Sequence, residues 1–422
     1  MDTHILLLGV GLIIILSFVF NIVAQRSNIP SVLMLMILGY ILGQFVPVEG
    51  AYEEVQTTAL SLLGTVGVIL IVLEAALDLH LERDKTGMIV RSLVLATALL
   101  VATSGLIALA LKFILEMGWL QSWLYAVPLA VMSSAIIIPS IGSLSNESRE
   151  FLTFEASFSD ILGIILFYAL AGAAGGEKGD GSMVLGSLTE IGITVVLSFV
   201  LTYFLIIAFQ AVEGHVKLFF LIGILLALYG AGKLFHLSPL LLILIFGLGL
   251  NNKDLFFRGR LAYLIHDETF EVIVKDFSII TLESAFVVRT FFFVVFGMSI
   301  ELAPLADMWV WIISGIVLVA IYGTRFIGLK LAKRPALRPE ILIAPRGLIT
   351  VLLFYSMPES MKTESFNTGI LVLTILATSF VMSYGLITNG RKEPDPVGTS
   401  MPHQPLQADP AADHAPSSSA DS

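Results

Sequence analysis

The chain of 422 residues contains no cysteine, which excludes disulfides, thiolate metal sites and a cysteine nucleophile. Charge is also scarce, because Asp, Glu, Lys and Arg make up 13% of the residues, against about 25% in soluble domains. Hydrophobic residues reach 57%. The formal net charge of −10 is opposite in sign to that of a nucleic-acid-binding surface. The composition therefore indicates a polytopic membrane protein in a lipid bilayer, with no nucleic-acid partner.

Apolar runs separated by short polar or Pro/Gly segments predict thirteen membrane-spanning helices. Their bounds are 5–24, 30–47, 57–77, 88–115, 121–144, 150–175, 183–210, 216–231, 235–250, 281–301, 307–332, 339–357 and 366–389. The first run lacks a preceding basic region, so we expect a retained span rather than a signal peptide. Residues 251–280 predict an interfacial helix or linker on the cytoplasmic side. Residues 391–422, rich in Pro, Ser, Ala and Asp, predict a disordered tail.

Basic residues are distributed unevenly across these spans. Sixteen of the 23 Lys and Arg residues fall on one side of the membrane, four on the other, and three (Arg289, Arg325 and Arg346) within spans. Since Lys and Arg concentrate in cytoplasmic loops, this asymmetry predicts an outside N-terminus and a cytoplasmic C-terminus in the cell (inner) membrane.

Two carboxylates interrupt the apolar sixth span, Glu155 and Asp160. At about 1.5 Å per residue, Asp160 lies about 15 Å deep, near the middle of the bilayer. An ionisable group at this depth costs about 3 kcal/mol or more, and such groups commonly bind an ion or carry a proton. The two side chains point about 140° apart around the helix, so we expect them to have different partners.

Arg325 in span eleven lies at a depth similar to that of Glu155, roughly 10 Å against 7 Å from the cytoplasmic side. We therefore predict a buried structural ion pair between Glu155 and Arg325, in which each charge compensates the other. Asp160 is then left as the unpaired carboxylate. A proton and a metal cation would compete for it.

Two spans contain residues that break helices. Span five contains Ser133, Ser134 and Pro139, and span twelve contains the sequence Pro345-Arg346-Gly347. Broken helices free backbone carbonyls that can coordinate ions. Pro139 is also compatible with a simple kink, and the two serines with packing between helices. The two spans run in opposite directions, one in each half of the chain, as an inverted repeat requires.

Two more charged residues, Glu74 and Arg289, each have two possible roles. Glu74, near the cytoplasmic end of span three, is either an interfacial residue or part of the transport site. Arg289, in span ten, is either a structural anchor or part of the transport path.

These motifs, in this order, resemble the monovalent cation–proton antiporter superfamily, most closely the bacterial Na+/H+ exchangers. The resemblance runs through essentially all thirteen spans. Glu155-Ala-Ser-Phe-Ser159-Asp160 is similar to the family's Glu followed five residues later by the ion-binding Asp. Arg325 falls where the family's paired Arg is expected. Ala344-Pro-Arg346-Gly resembles the broken-helix motif that follows it.

The resemblance implies an all-α fold of two inverted six-helix repeats with two crossing broken helices, spans five and twelve. The membrane transport domain would cover 1–390, with the first repeat at about 5–175, a linking helix at about 183–210 and the second repeat at about 216–389. One part would be a dimerisation scaffold and the other an ion-carrying core, and family members are commonly homodimers.

The sequence departs from the family in two places. Ser159 replaces the Asn or Asp that usually precedes the aspartate. The Ser133-Ser134 region lacks the Asp that many exchangers carry before Pro, and so resembles the potassium-efflux branch. That branch usually has Lys where this chain has Arg325.

We predict a secondary active antiporter, not an enzyme, that needs no cofactor and serves pH and cation homeostasis. It would exchange Na+, or Li+ or K+, for H+ by alternating access, one for one and electroneutrally. The predicted cation- and proton-binding residues are Asp160, Ser159, Ser157, Ser133, Ser134 and Glu74. One alternative is a K+/H+ efflux system or channel-like protein gated by a separate regulatory subunit. A second is a sensor on the same fold that does not transport.

Overall fold

The structure is a computed structural model that describes residues 3–27, 29–45, 51–79, 85–175, 192–193, 196–205, 217–234, 239–252, 267–301, 303–335 and 337–389. Over these ranges the regular structure is helical, without strands. The predicted tail 391–422 and most of the predicted linking helix 183–210 lie outside the described residues.

The first half of the chain contains helices α1 to α8. They are α1 (Thr3–Ser27), α2 (Ser31–Phe45), α3 (Ala51–Asp78), α4 (Thr86–Ile114), α5 (Trp119–Ala130), α6 (Ser134–Ser140), α7 (Asn146–Gly175) and α8 (Val196–Leu205). The second half contains helices α9 to α15. They are α9 (Lys217–Leu234), α10 (Pro239–Asn251), α11 (Asp267–Met298), α12 (Met308–Leu331), α13 (Leu337–Leu342), α14 (Leu348–Tyr355) and α15 (Gly369–Asn389).

Six helical segments of the described chain are long and apolar enough to cross a membrane. They are Thr86–Ile114, Trp119–Ser143, Asn146–Ala174, Val274–Met298, Met308–Leu331 and Gly369–Asn389. Large apolar side chains such as Phe18, Phe113 and Val319 are exposed on the outward faces of the long helices. Since soluble proteins rarely expose wide apolar patches, these faces are lipid-facing surfaces of a multi-pass membrane protein.

The helices pack in two groups. Helices α1, α2, α3, α9, α10 and α11 pack mainly against one another, and we call them the first helix group. Helices α4 to α7 and α12 to α15 form the second helix group. Every buried charged side chain among the described residues belongs to the second group: Glu155, Asp160, Arg325, Glu340 and Arg346. The charged interior and the broken helices therefore lie in the same part of the molecule.

Glycine allows the backbones of α2 and α11 to approach closely within the first helix group. A Cβ atom on Gly39 would lie 2.1 Å from the Val294 carbonyl oxygen, and one on Gly297 would lie 2.4 Å from the Met36 carbonyl oxygen. Small residues at such contacts are characteristic of helix packing in membranes. This contact fixes α11, which carries Arg289, against the rest of the first group.

One predicted boundary is wrong. Residues 251–280 were predicted to form an interfacial helix or linker, of which 253–266 lie outside the described residues. Residues 267–280 instead belong to α11, which is continuous from Asp267 to Met298 and includes most of the predicted span ten. The chain contains no Gly or Pro between residues 267 and 296, so nothing local ends the helix where its polar part gives way to its apolar part. Hydropathy locates the part of a helix within the bilayer and not the end of the helix.

Candidate ion-binding site

The break in span five lies at residues 131–133, between α5 and α6. In a continuous helix each N–H in this region would bond to a carbonyl four residues earlier. Met132 N instead donates to the hydroxyl oxygen of Ser159 at 2.9 Å. Ser133 N donates to the carbonyl of Pro345, in the second broken helix, at 3.0 Å. The break therefore persists because side chains and backbone from other segments satisfy its N–H groups.

Asp160 accepts hydrogen bonds from the first residue of α6. The N–H of Ser134 donates to Asp160 Oδ2 at 3.0 Å, and the Ser134 hydroxyl donates to the same oxygen. The Asp160 residue is 3% exposed. Its other oxygen, Oδ1, is buried and has no hydrogen-bond partner in the described part of the chain. One oxygen thus fixes the carboxylate in place, and the other remains available to a proton or a cation.

Two hydroxyl oxygens of the predicted site are also buried without a hydrogen-bond partner among the described residues, Ser157 Oγ and Ser133 Oγ. Ser157 precedes Asp160 by three residues, so the two share a side of α7. Ser133 Oγ lies 2.8 Å from the position that a Cβ atom would take on Gly347, at the second break. Hard cations prefer oxygen ligands of this kind.

The break in span twelve covers residues 343–347, between α13 and α14. Arg346 lies within it, and its guanidinium donates through Nε to the Leu129 carbonyl at 2.7 Å and through Nη1 to the Ala344 carbonyl at 3.0 Å. Ser133 N would bond to the Leu129 carbonyl in an unbroken span. Arg346 therefore places a buried positive charge against carbonyls that the two breaks release.

The predicted pair of Glu155 and Arg325 is present and almost fully enclosed. Arg325 Nη1 donates to Glu155 Oε1 at 2.7 Å, and Nη2 donates to Oε2 at 3.1 Å. The side chains are 4% (Arg325) and 1% (Glu155) exposed. A cleft of about 20 Å³ beside the pair is lined by Glu155, Ser159, Arg325 and Arg346, among others, and holds at most about one water. The geometry is that of a bidentate Arg–carboxylate pair.

Glu340 supports this pair and was not singled out from the sequence. Its backbone carbonyl accepts from Arg325 Nε at 2.7 Å. Its buried carboxylate accepts from Arg334 at 2.6 and 3.0 Å and from the Ser148 hydroxyl at 3.0 Å. Burial disfavours the charge of Arg334, but bonding to Glu340 and attraction to Glu340 and Glu147 raise its pKa above the usual value. The available sequence signal was an acidic residue six positions after an arginine at a span end.

Glu74 lies apart from these contacts, in the wall of a cavity. Its Oε2 accepts from Arg289 Nη2 at 2.5 Å. Glu74 and Arg289 line a cavity of about 270 Å³, and Ser134 lines the same cavity. Glu74 and Arg289, each of which had two possible interpretations from the sequence, are therefore ion-pair partners. The cavity leads to the residue that holds Asp160.

The predicted site residues occupy distinct positions in the structure. Asp160 contacts Ser134, and Ser159 holds the break in span five. Ser157 makes no hydrogen bond to them among the described contacts. Pro139 lies inside α6, after the break, so it does not interrupt the span itself.

The chain is similar to known membrane proteins over most of its length. The family model described as sodium/hydrogen exchanger, transmembrane, matches residues 12–388. Two solved structures of the sodium proton antiporter MjNhaP1 from Methanocaldococcus jannaschii each superpose with a TM-score of 0.67 at 20% identity. One, at pH 8, covers 92% of this chain and 96% of its own, and the other, an electron-microscopy map, covers 94% and 100%. No curated protein matches.

The all-helical, multi-pass fold is that of a membrane protein, and the family model places the chain in the cation/proton antiporter superfamily. The chain belongs to the sodium/hydrogen exchanger family, because the family model covers most of its length. Low identity to MjNhaP1 limits that likeness to the fold. The expected superfamily and fold class are thereby confirmed, whereas the number of spans stays a prediction.

Proposed function

We propose that the protein exchanges a monovalent cation, preferentially Na+, for H+, and that Asp160 is the group that binds either ion. The observation that carries this proposal is the asymmetric bonding of a buried carboxylate. Asp160 Oδ2 is held by Ser134, while Oδ1 has no hydrogen-bond partner among the described residues. A proton or a cation at Oδ1 would complete the site.

Coupling follows from the cost of burying charge. An empty, ionised Asp160 is expensive to carry through the apolar interior, whereas its protonated or cation-bound form is neutral. The core therefore moves between its two orientations only when loaded, and this yields antiport. Because the two ions compete for one group, lowering the pH raises the apparent KM for the cation.

The proposed stoichiometry is one cation for one proton. Glu155 is bound to Arg325 through both carboxylate oxygens, so the pair is neutral and its charge does not change during transport. Asp160 is then the single carboxylate that exchanges a proton for a cation during transport. A turnover that moves one Na+ against one H+ transfers no net charge.

The proposed cation ligands are oxygens that lack hydrogen-bond partners among the described residues. Asp160 Oδ1, Ser157 Oγ and Ser133 Oγ meet this condition. Ser134 and Ser159 act by holding the carboxylate and the break. Backbone carbonyls freed at the crossing supply further oxygens.

We further propose that the protein lies in the cell (inner) membrane with its C-terminus in the cytoplasm and forms a homodimer. The excess of Lys and Arg on one side supports the orientation. With this orientation, the cavity that contains Glu74 opens to the cytoplasm, because it is lined by the cytoplasmic ends of α3 and α6.

The test is a flux assay on purified protein in liposomes, with Na+, Li+ and K+ compared across a range of pH. Asp160→Asn is expected to abolish the dissipation of a pH gradient by any of the three cations. Asp276→Asn, the same change at an exposed position of α11, is the control and is expected to match the wild type. Exchange that survives Asp160→Asn would exclude the proposal, and K+ flux without proton counterflow would favour the channel-like alternative.

A further inference from the structure

The cavity of about 270 Å³ lies where the two helix groups meet. Its walls come from α1, α2, α3 and α11 of the first group and from α6 of the second. Its polar lining includes Glu74, Arg289 and Ser134. Because Ser134 bonds directly to Asp160, the cavity is the described space through which a cation would approach the proposed site.

A guanidinium is an unusual group for such a wall. Like charges repel strongly where the surroundings are poorly polarisable, so an uncompensated Arg289 would hinder every cation that enters. Glu74 compensates it through one contact of 2.5 Å between Nη2 and Oε2. The two opposite charges therefore leave the cavity nearly neutral, and the positive charge of Arg289 occupies the Glu74 carboxylate.

Arg289 also reaches the second helix group. Pro139 has no N–H, so it cannot donate the usual helical bond to the carbonyl four residues earlier, that of Ala135. Arg289 Nη1 lies 3.5 Å from that carbonyl oxygen. Ala135 is the neighbour of Ser134, so the guanidinium lies one residue from the group that holds Asp160.

The bonding of Arg289 is incomplete. Its Nε is buried without a partner among the described residues, and its Nη1 contact is long. The side chains of Arg289 and Glu74 are 13% and 17% exposed. A single-contact pair on a cavity wall is held by fewer bonds than the pair of Glu155 and Arg325, and removal of Arg289 would leave the Glu74 carboxylate facing the cavity.

We propose that Arg289 determines the cation affinity of the transport site by occupying Glu74. The tethered guanidinium prevents Glu74 from binding the transported cation as a second carboxylate, so Asp160 is the single carboxylate that holds an entering cation, and the cation can leave again. This inference rests on the proposed antiport at Asp160. It makes Arg289 a residue that sets cation affinity and Glu74 the partner of Arg289, so neither residue is a direct ligand of the cation in the wild type.

The experiment measures Na+ binding by calorimetry on the purified full-length protein, and KM and turnover in liposomes. Arg289→Gln frees Glu74, and we expect Na+ affinity to rise roughly tenfold because a second carboxylate joins the site, while turnover falls because release is slower. Glu74→Gln leaves Arg289 uncompensated and should weaken Na+ binding by a similar factor. The double variant should return close to the wild-type affinity.

Arg289→Lys separates charge from shape, since it keeps the positive charge and loses the planar donor group. We expect it to stay near the wild-type Na+ affinity, whereas a structural anchor would fail in both Arg289 variants alike. Unchanged or weaker Na+ binding by folded Arg289→Gln would overturn the inference. If that variant does not fold, unchanged Na+ affinity in Glu74→Gln would overturn it equally.

Failure of this inference is distinguishable from failure of the proposed function. If Asp160→Asn abolishes exchange and the Arg289 and Glu74 variants leave Na+ affinity unchanged, only the role of Arg289 is wrong. If Asp160→Asn still exchanges cations, the assignment of Asp160 is wrong, and the present inference falls with it.

Discussion

The interior of the protein contains two Glu–Arg pairs that differ in almost every physical respect. Glu155 and Arg325 meet through two contacts, and the remaining Arg325 Nε donates to the Glu340 carbonyl. Glu74 and Arg289 meet through one contact, and Arg289 Nε has no partner among the described residues. The first pair is almost fully buried and borders a cleft of only about 20 Å³, whereas the second lines a cavity of about 270 Å³.

The comparison shows that residue type does not decide what a membrane-buried ion pair does. A pair whose donors and acceptors are all satisfied is rigid and cannot exchange its partner without a large penalty. A pair joined by one contact beside a cavity is less firmly fixed, and removing one member leaves the other facing that cavity. This contrast supports the predicted structural role of the pair in the second helix group and the proposed effect of the pair in the first group on cation affinity.

The largest expected effect comes from removing one member of the enclosed pair. Glu155→Gln or Arg325→Gln leaves a buried charge without its partner, so each should lower the free energy of unfolding by about 3–5 kcal/mol. Thermal unfolding in detergent measures this, and the double variant should recover much of the loss. Glu74→Gln is the matched change in the pair of Glu74 and Arg289, which lines the cavity and which we call the open pair. A loss as large as that in Glu155→Gln would contradict the distinction between the pairs.

An intermediate effect is expected at Ser134, which lies between Asp160 and the open pair. Ser134→Ala removes the hydroxyl that donates to Asp160 Oδ2 but keeps the backbone N–H. Loss of one hydrogen bond to a charged group should change the apparent KM for Na+ by roughly tenfold. Ser140→Ala is the control, because the one bond of the Ser140 hydroxyl among the described contacts is to the Ile136 carbonyl in the same helix. Equal KM values in the two variants would show that Ser134 does not orient the carboxylate.

The smallest effect is expected for the ion pair at the membrane surface. Glu147 is 58% exposed and contacts Arg334 at 3.2 Å, so Glu147→Gln should change the free energy of unfolding by about 0.5 kcal/mol or less. Glu340→Gln alters the buried partner of the same arginine and should cost clearly more. Chemical unfolding of both variants compares the two contacts. A larger loss in Glu147→Gln would reverse the order that burial predicts.

Several features could be predicted from the sequence because they depend on local composition. Helix rise and hydropathy placed Glu155 and Arg325 at similar depths, and the structure brings them together. The Pro345-Arg346-Gly347 sequence predicted a break where the backbone does leave the helix. In each case short-range chemistry, either a missing N–H or a charge at a known depth, is sufficient.

Other features depend on distant partners and could not be predicted. The break at residues 131–133 precedes Pro139 because Ser159 and Pro345 accept from its N–H groups, and Asp160 accepts from the N–H of Ser134 at the start of α6. Glu74 pairs with a residue 215 positions away. No local pattern shows which carboxylate an arginine from another helix will reach, so the different fates of Glu74 and Glu155 become visible only in three dimensions.

The central claim is that one carboxylate, Asp160, exchanges a proton for a cation. The most direct measurement is the number of protons released when Na+ binds to the purified protein, followed by calorimetry in buffers of different ionisation enthalpy. At a pH where the site is protonated, the wild type should release about one proton for each Na+ bound, and Asp160→Asn should bind no Na+ and release none. Proton release on Na+ binding that persists in Asp160→Asn would contradict the claim.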